Sequence, residues 1–149
     1  MIMKKNMIIR MIMISMMMFS ASIMSAQDDL QVSNVFQLYG HDKGCKMVEL
    51  HHGTFKGYQL DVYKSLIYKK IGNNVENYLK QDRKNAKKVR EIVEDGQVTS
   101  GYYLMKPVKA GTNRFILFKK GENQSGTVIY IEGSLSPEQL MDLCTIRKK

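Results

Sequence analysis

The chain has 149 residues, with 23 lysines and arginines against 14 aspartates and glutamates, and a formal net charge of +9 at pH 7. A chain of this length fits one domain and can bury a single core without a structural metal or a set of disulfides. Its positive charge would suit nucleic acid inside a cell, but outside the cytoplasm it favours anionic lipid, acidic glycan or an acidic protein surface.

The N-terminal 26 residues are typical of a secretory signal peptide. A basic start, an apolar run and small residues follow one another there: Lys4, Lys5 and Arg10, then Met11 to Met18, then Ser25 and Ala26. The apolar run is shorter than the roughly 20 residues that a membrane-spanning helix needs. We therefore expect cleavage near Ala26 and a mature chain of residues 27–149 with no transmembrane segment. Its 20 basic and 14 acidic side chains give a net charge of +6.

The first half of the mature chain predicts one short helix and two strands. Val32, Val35, Phe36 and Tyr39 recur at helical spacing, and Gly40 is placed to end that helix in a left-handed conformation. Residues 45–50 and 63–70 are rich in aliphatic and aromatic side chains and predict strands. The spacer of residues 54–61 between them is compatible with a helical turn, and the sequence leaves it open.

A long amphipathic helix is predicted from about Asn74 to Asp95, ending before Gly96. Asp82 interrupts its apolar stripe, so we expect the stripe to be shallow there or the carboxylate to reach a basic neighbour. The opposite face is basic and carries Lys80, Arg83, Lys84, Lys87, Lys88 and Arg90. Such a face is ordinarily solvated. The alternative is an electrostatic contact surface for anionic components of the cell envelope.

Three strands and a helix are predicted after Gly96. Residues 98–106 include Tyr102 and Tyr103 and stop before Pro107, whereas residues 114–119 and 127–131 form a hairpin around a polar loop. A capping box formed by Ser136 and Gln139 predicts a helix over residues 137–144. The sequence thus predicts an α+β domain, with a mainly antiparallel sheet of about five strands, one long helix and two shorter ones.

Few residues in this chain suggest chemistry. Cys45 and Cys144 are the two candidates for a disulfide, and two separate buried thiols are the alternative. The three histidines do not have the spacing of a metal site, because adjacent histidines on a strand point to opposite faces. No nucleophile elbow, phosphate-binding loop or dinucleotide fingerprint is present. We therefore expect no metal and no cofactor.

Several segments carry a family resemblance. They are the signal ending in Ser-Ala-Gln, the helix of residues 32–39 with its glycine, and the segments at 46–50, 99–103, 113–118 and 129–135. Over nearly all of its mature part the chain resembles small exported domain-of-unknown-function proteins from anaerobic Gram-negative bacteria. The resemblance implies an α+β domain in the periplasm or outer envelope and brings no catalytic residues. The unusually basic helix departs from larger relatives.

The function that we expect is that of a noncatalytic periplasmic binding or accessory protein, soluble after cleavage. Its expected contact residues are Lys80, Arg83, Lys84, Lys87, Lys88, Tyr102 and Tyr103. Its expected partner is an anionic envelope component or a protein, and not nucleic acid. The alternative is a small exported enzyme, such as a hydrolase, whose site gathers residues distant in sequence. A concave site that collects polar groups would distinguish the two.

Overall fold

The computed structural model describes residues 29–145 of the chain. The elements in chain order are α1 (Val32–Tyr39), β1 (Lys46–Phe55), β2 (Tyr58–Tyr68), α2 (Gly72–Lys84), β3 (Lys87–Glu94), β4 (Gln97–Met105), β5 (Asn113–Lys120), β6 (Gly126–Gly133) and α3 (Pro137–Thr145). The strands form one antiparallel sheet in the order β1-β2-β6-β5-β4-β3. The predicted α+β class is confirmed, with six strands instead of about five. The predicted signal peptide lies outside the described residues.

The additional strand replaces the second half of the predicted long helix. Helix α2 ends at Lys84, and residues 87–94 form β3 at the edge of the sheet. Asp95 and Gly96 have φ angles of 51° and 75°. Positive φ at both central residues is the geometry of a type I′ hairpin turn, for which Asp-Gly is a preferred pair. The prediction of a helix to Asp95 was therefore wrong, because this turn pairs β3 with β4.

A second hairpin turn occupies the spacer that the sequence left open. Lys56 and Gly57 have φ angles of 50° and 86° and join β1 to β2 directly. Both strands are longer than predicted, since they extend up to this two-residue turn. The spacer consequently contains the ends of two strands and no helical turn.

Helices cover the two faces of the sheet unequally. Helices α1 and α2 lie on what we call the first face, where their core residues include Val35, Phe36, Val75 and Leu79. The buried residues of the sheet in that cluster are Val62, Leu66, Tyr68, Tyr103, Met105, Ile116, Phe118, Val128 and Tyr130. Only the short helix α3 packs on the opposite, second face within the described residues. Residues 29–145 therefore leave more of the second face uncovered than of the first.

Two buried charged side chains hold the start of the described chain against the first face. Arg114, which is 1 % exposed, donates from both terminal nitrogens to the carboxylate of Asp29, over 2.8 and 3.1 Å. Asp82 in α2 accepts the backbone N–H groups of Gln31 and Val32, each over 2.8 Å. These donors begin α1 and have no partner within their own helix. Asp82 is thus buried against backbone amides, so the predicted shallow stripe was wrong. The predicted basic neighbour is Arg114, whose charge acts on this carboxylate and lowers its pKa.

The end of α1 also differs from its prediction. Gly40 has a φ of −61°, which is right-handed and not the left-handed conformation expected of a helix stop. A β-carbon built at this position would lie 2.6 Å from the sulfur of Met47 and would also overlap the carbonyl oxygen of Phe36. Glycine therefore permits a close approach between the end of α1 and strand β1.

Candidate ligand-binding site

Helix α3 covers one end of the second face. Its Leu140 and Leu143 pack with Leu60, Phe115 and Ile131 of the sheet. The predicted capping box is present, since the backbone N–H of Gln139 donates to Oγ of Ser136 and the backbone N–H of Ser136 donates to Oε1 of Gln139. The side-chain amide of Asn113 also donates to the carbonyl oxygen of Leu135 over 2.7 Å. These bonds hold the first turn of α3 in place and so determine the position of the helix on the sheet.

A cavity of about 360 Å³ opens where α3 ends. We call it the apolar cavity, because the side chains of Tyr102, Leu117 and Ile129 supply much of its wall, with Cys144 of α3 beside them. Ser100, Lys119 and Thr127 complete the lining at the side away from the helix. Burial raises the pKa of the Tyr102 hydroxyl, and the neighbouring Cys144 thiol raises it further. The phenol therefore stays neutral at physiological pH.

A second cavity of about 340 Å³ adjoins the first at the end of the sheet. We call it the basic cavity, because Lys69, Lys119 and Lys120 line it together with the ends of the β5–β6 loop. Lys119 and Thr127 line both cavities, so the two share a wall. We refer to the two cavities together as the cleft.

The three lysines of the basic cavity differ in their partners. Nζ of Lys120 lies 3.4 Å from a carboxylate oxygen of Glu76 and 3.1 Å from the side-chain oxygen of Gln97. Lys69 and Lys119 are exposed, and neither has an ion pair with another described residue. The basic cavity thus carries two lysine charges that no carboxylate in residues 29–145 neutralises.

The loop that borders the basic cavity is held in place by the rest of the fold. The backbone N–H of Gly72 donates to the carbonyl oxygen of Gln124, and that of Asn73 donates to the Gln124 side chain. Within the loop, Gly121 donates to the carbonyl oxygen of Ser125 over 2.9 Å. These contacts tie the loop to the start of α2, so the wall of the basic cavity is formed before any ligand arrives.

The two predicted contact tyrosines point to opposite sides of the sheet. Tyr102 lines the apolar cavity on the second face, whereas Tyr103 is 2 % exposed in the core of the first face. The Tyr103 ring fills the space over Gly101, where an added β-carbon would overlap it. Successive residues of a strand alternate in this way. Tyr102 therefore remains a candidate contact residue, and Tyr103 is a core residue.

The predicted basic surface is divided by the end of α2. Lys80, Arg83 and Lys84 lie on the helix, while Lys87 and Lys88 lie on the edge strand β3. Lys87 pairs in register with Leu104 and Lys88 with Tyr103, so the two lysines face opposite sides of the sheet. Lys88 also forms an ion pair with Glu91 over 3.2 Å. These five residues do not form one continuous basic face.

The two cysteines are free thiols in the described structure. Cys45 packs against the core of the first face and Cys144 against that of the second, so the sheet separates them. This arrangement matches the alternative of two separate thiols, which the sequence left open.

Of the histidines, His51 contacts Glu49 over 2.8 Å on the exposed strand β1. Among residues 29–145, no group of three or more metal-ligating side chains is close enough to hold a metal ion.

Sequence reasoning missed most of the cleft. Lys69 and Lys70 directly follow β2, and Lys119 and Lys120 are the last two residues of β5, about fifty positions later. Strand β6 lies between β2 and β5, and this order brings the two lysine pairs to the same end of the sheet. The only local signal was that each pair of adjacent lysines lies at or directly after the end of a strand.

Within the described part, no helix is both long and apolar enough to cross a membrane.

Comparison with known proteins places the chain in a family. No curated protein and no solved structure matches the chain. The model of a family of unknown function, DUF6108, matches residues 19–144. Because this match covers most of its length, the chain belongs to the DUF6108 family.

Proposed function

We propose that this protein is an exported, noncatalytic binding or accessory protein of the cell envelope, and that the cleft is its contact site. The observation that carries the proposal is the apolar cavity at the end of α3, with Tyr102, Leu117 and Ile129 in its wall. Ligand sites in proteins are typically concave and mostly apolar, with a few polar groups that orient the ligand. The cleft has this composition, since Ser100 and Lys119 stand at its border.

The chemistry of the lining supports binding over catalysis. A small hydrolase would need a general acid or base, for which proteins use histidine and carboxylate side chains most often. Neither type is present among the described residues that line the two cavities. The side chains there can hold a ligand by packing and by charge. This supports the binding role over the hydrolase alternative.

Export is the second part of the proposal, with cleavage between Ala26 and Gln27. Asp29 lies three residues after that point and is already bound by the buried Arg114. A cleaved chain would therefore keep the ion pair of Asp29 with Arg114 and all of the described residues. N-terminal sequencing of the protein from an envelope fraction tests this, and we expect the sequence to start at Gln27. A full-length N-terminus in the cytoplasm would contradict export.

The binding role is tested by crosslinking in living cells. A photoactivatable amino acid at Ser100 places the reactive group in the apolar cavity, and the same residue at Thr99 places it on the other side of β4. We expect Ser100 to give one dominant adduct by mass spectrometry, and Thr99 to give none of it. Equal labelling from both positions, or no adduct from Ser100, would contradict the cleft as contact site.

A further inference from the structure

We propose that the cleft binds an amphiphilic anion, a small molecule with an apolar body and one anionic group. The apolar body would lie over Tyr102, Leu117 and Ile129, and the anionic group would lie between Lys69 and Lys119. This inference rests on the proposed binding function and adds the chemical class of the ligand.

The apolar part of the proposed site is a row of the sheet that residues 29–145 leave exposed. Ile67 is 49 % exposed and Ile92 is 39 % exposed, and both lie in the row of the second face that contains Ser100, Lys119 and Thr127. Isoleucine side chains are among those most often buried in proteins. A ligand that covers them gains about 0.8 kcal/mol of binding free energy for each of its methylenes that leaves water. No described residue buries these two side chains, and Ser100, Lys119 and Thr127 of the same row line the apolar cavity, so a ligand in that cavity can reach the row.

The charged part of the proposed site consists of the two lysines that no described carboxylate neutralises. Lys69 and Lys119 belong to different strands yet line one cavity, in which the only ion pair with a described residue is that of Lys120 with Glu76. An anionic group in this cavity gains favourable Coulomb energy with each of the two lysines. Because Lys119 and Thr127 belong to both cavities, one molecule can satisfy the apolar and the basic half at once.

Calorimetric titration of the full chain, purified in the form that cells accumulate, tests the assignment with matched probes. The probes are decanoate and decyl phosphate, which share a ten-carbon chain and differ in the anionic group, and decanol, which lacks a charge. Inorganic phosphate supplies the charge without the chain. We expect both anionic amphiphiles to bind more tightly than decanol, and inorganic phosphate not to bind at the same concentrations. A preference between decanoate and decyl phosphate would then identify the type of anionic group.

Single substitutions separate the two halves of the cleft. Lys69→Met and Lys119→Met each remove one positive charge and should weaken decanoate about fivefold while leaving decanol unchanged, which is the effect expected of a unit charge about 4 Å from an anion in water. Lys109→Met, in the exposed loop between β4 and β5, is the matched control and should change neither. Ser100→Trp fills the apolar cavity and should abolish binding of all three amphiphiles, whereas Thr99→Trp on the first face should not. Both tryptophans occupy strand positions that tolerate aromatic residues.

The outcomes distinguish this inference from the function on which it rests. If decanol binds as tightly as decanoate and neither lysine substitution matters, the anionic class is overturned while the cavity remains a binding site. If no amphiphile binds although Ser100 gives a specific adduct in cells, the ligand class is wrong and the binding function stands. If no amphiphile binds and Ser100 gives no adduct, both are wrong.

Discussion

The carboxylate of Asp82 accepts the backbone N–H of Val32, the first residue of α1, over 2.8 Å across fifty positions of sequence. The same carboxylate accepts the N–H of Gln31. One side chain of α2 thus acts as the cap of α1, for which Gln31 itself provides no side-chain hydrogen bond. The two helices on the first face are joined by this residue.

Removal of this cap should cost stability. Asp82→Ala leaves two backbone N–H groups at the start of α1 without an acceptor, and each buried unpaired group costs about 1–3 kcal/mol. We expect a loss of about 2–4 kcal/mol in the free energy of unfolding, measured by urea denaturation. Glu94→Ala, at an exposed position of β3, is the control and should change it by less than about 0.5 kcal/mol. A loss below about 1 kcal/mol for Asp82→Ala would contradict the capping role.

The same residue should give the stability a defined pH dependence. Burial raises the pKa of Asp82 above the ordinary aspartate value, although the N–H donors of Gln31 and Val32 oppose the shift. The folded state then holds this proton more tightly than the unfolded chain does. The free energy of unfolding of the wild type, relative to Asp82→Asn, should therefore fall as pH rises from about 3.9 through the raised pKa, and then stay constant. A relative stability that rises with pH over this interval would show a lowered pKa.

Gly40 and Gly53 should respond in opposite ways to alanine. Gly40 has an ordinary helical φ, so the backbone alone would favour alanine, but the added β-carbon would meet the Met47 sulfur and the Phe36 carbonyl oxygen. We expect Gly40→Ala to lower the thermal midpoint. Gly53 has nothing within 4 Å of an added β-carbon, so Gly53→Ala should leave the midpoint unchanged or raise it. The close contact of α1 with β1 would be refuted by a stabilised Gly40→Ala variant.

Two buried tyrosines test how hydroxyl pairing affects stability. The Tyr103 hydroxyl is buried near Arg83 and Glu91 without a hydrogen bond in the described structure, whereas that of Tyr130 donates to Glu132 over 2.9 Å. Tyr103→Phe should leave the free energy of unfolding unchanged or raise it by up to about 1 kcal/mol, and Tyr130→Phe should lower it by about 1 kcal/mol. Equal losses in the two variants would mean that Tyr103 also has a partner.

The parts of the fold that could be predicted depend on local chemistry. The capping box of Ser136 and Gln139 acts over three residues, and the hairpin strands β5 and β6 alternate around one polar loop, so both were recognised. Strand β3 was taken for helix because its valines and charge pairs also fit a helical period. The decisive signal was the Asp95-Gly96 turn, whose positive φ angles commit the chain to a hairpin.

The cleft could not be predicted because its parts meet only in the sheet. Lys69 and Lys119 are fifty positions apart, and their meeting depends on β6 lying between their strands. The basic residues of the predicted helix were conspicuous in sequence, yet the end of α2 divides them between a helix and an edge strand. Tyr102 was a candidate from sequence, but its separation from Tyr103 follows from strand alternation, which assigns one residue to each face.

The most direct measurement of the central claim is a map of amide chemical-shift changes on titrating the ¹⁵N-labelled protein with decanoate. We predict that the shifts concentrate at the residues of the cleft, including Ser100, Leu117, Lys119 and Thr127, and leave the last turn of α2 unaffected. Shifts centred on Lys80, Arg83 and Lys84 would instead assign binding to the basic surface of α2 and contradict the cleft as the binding site.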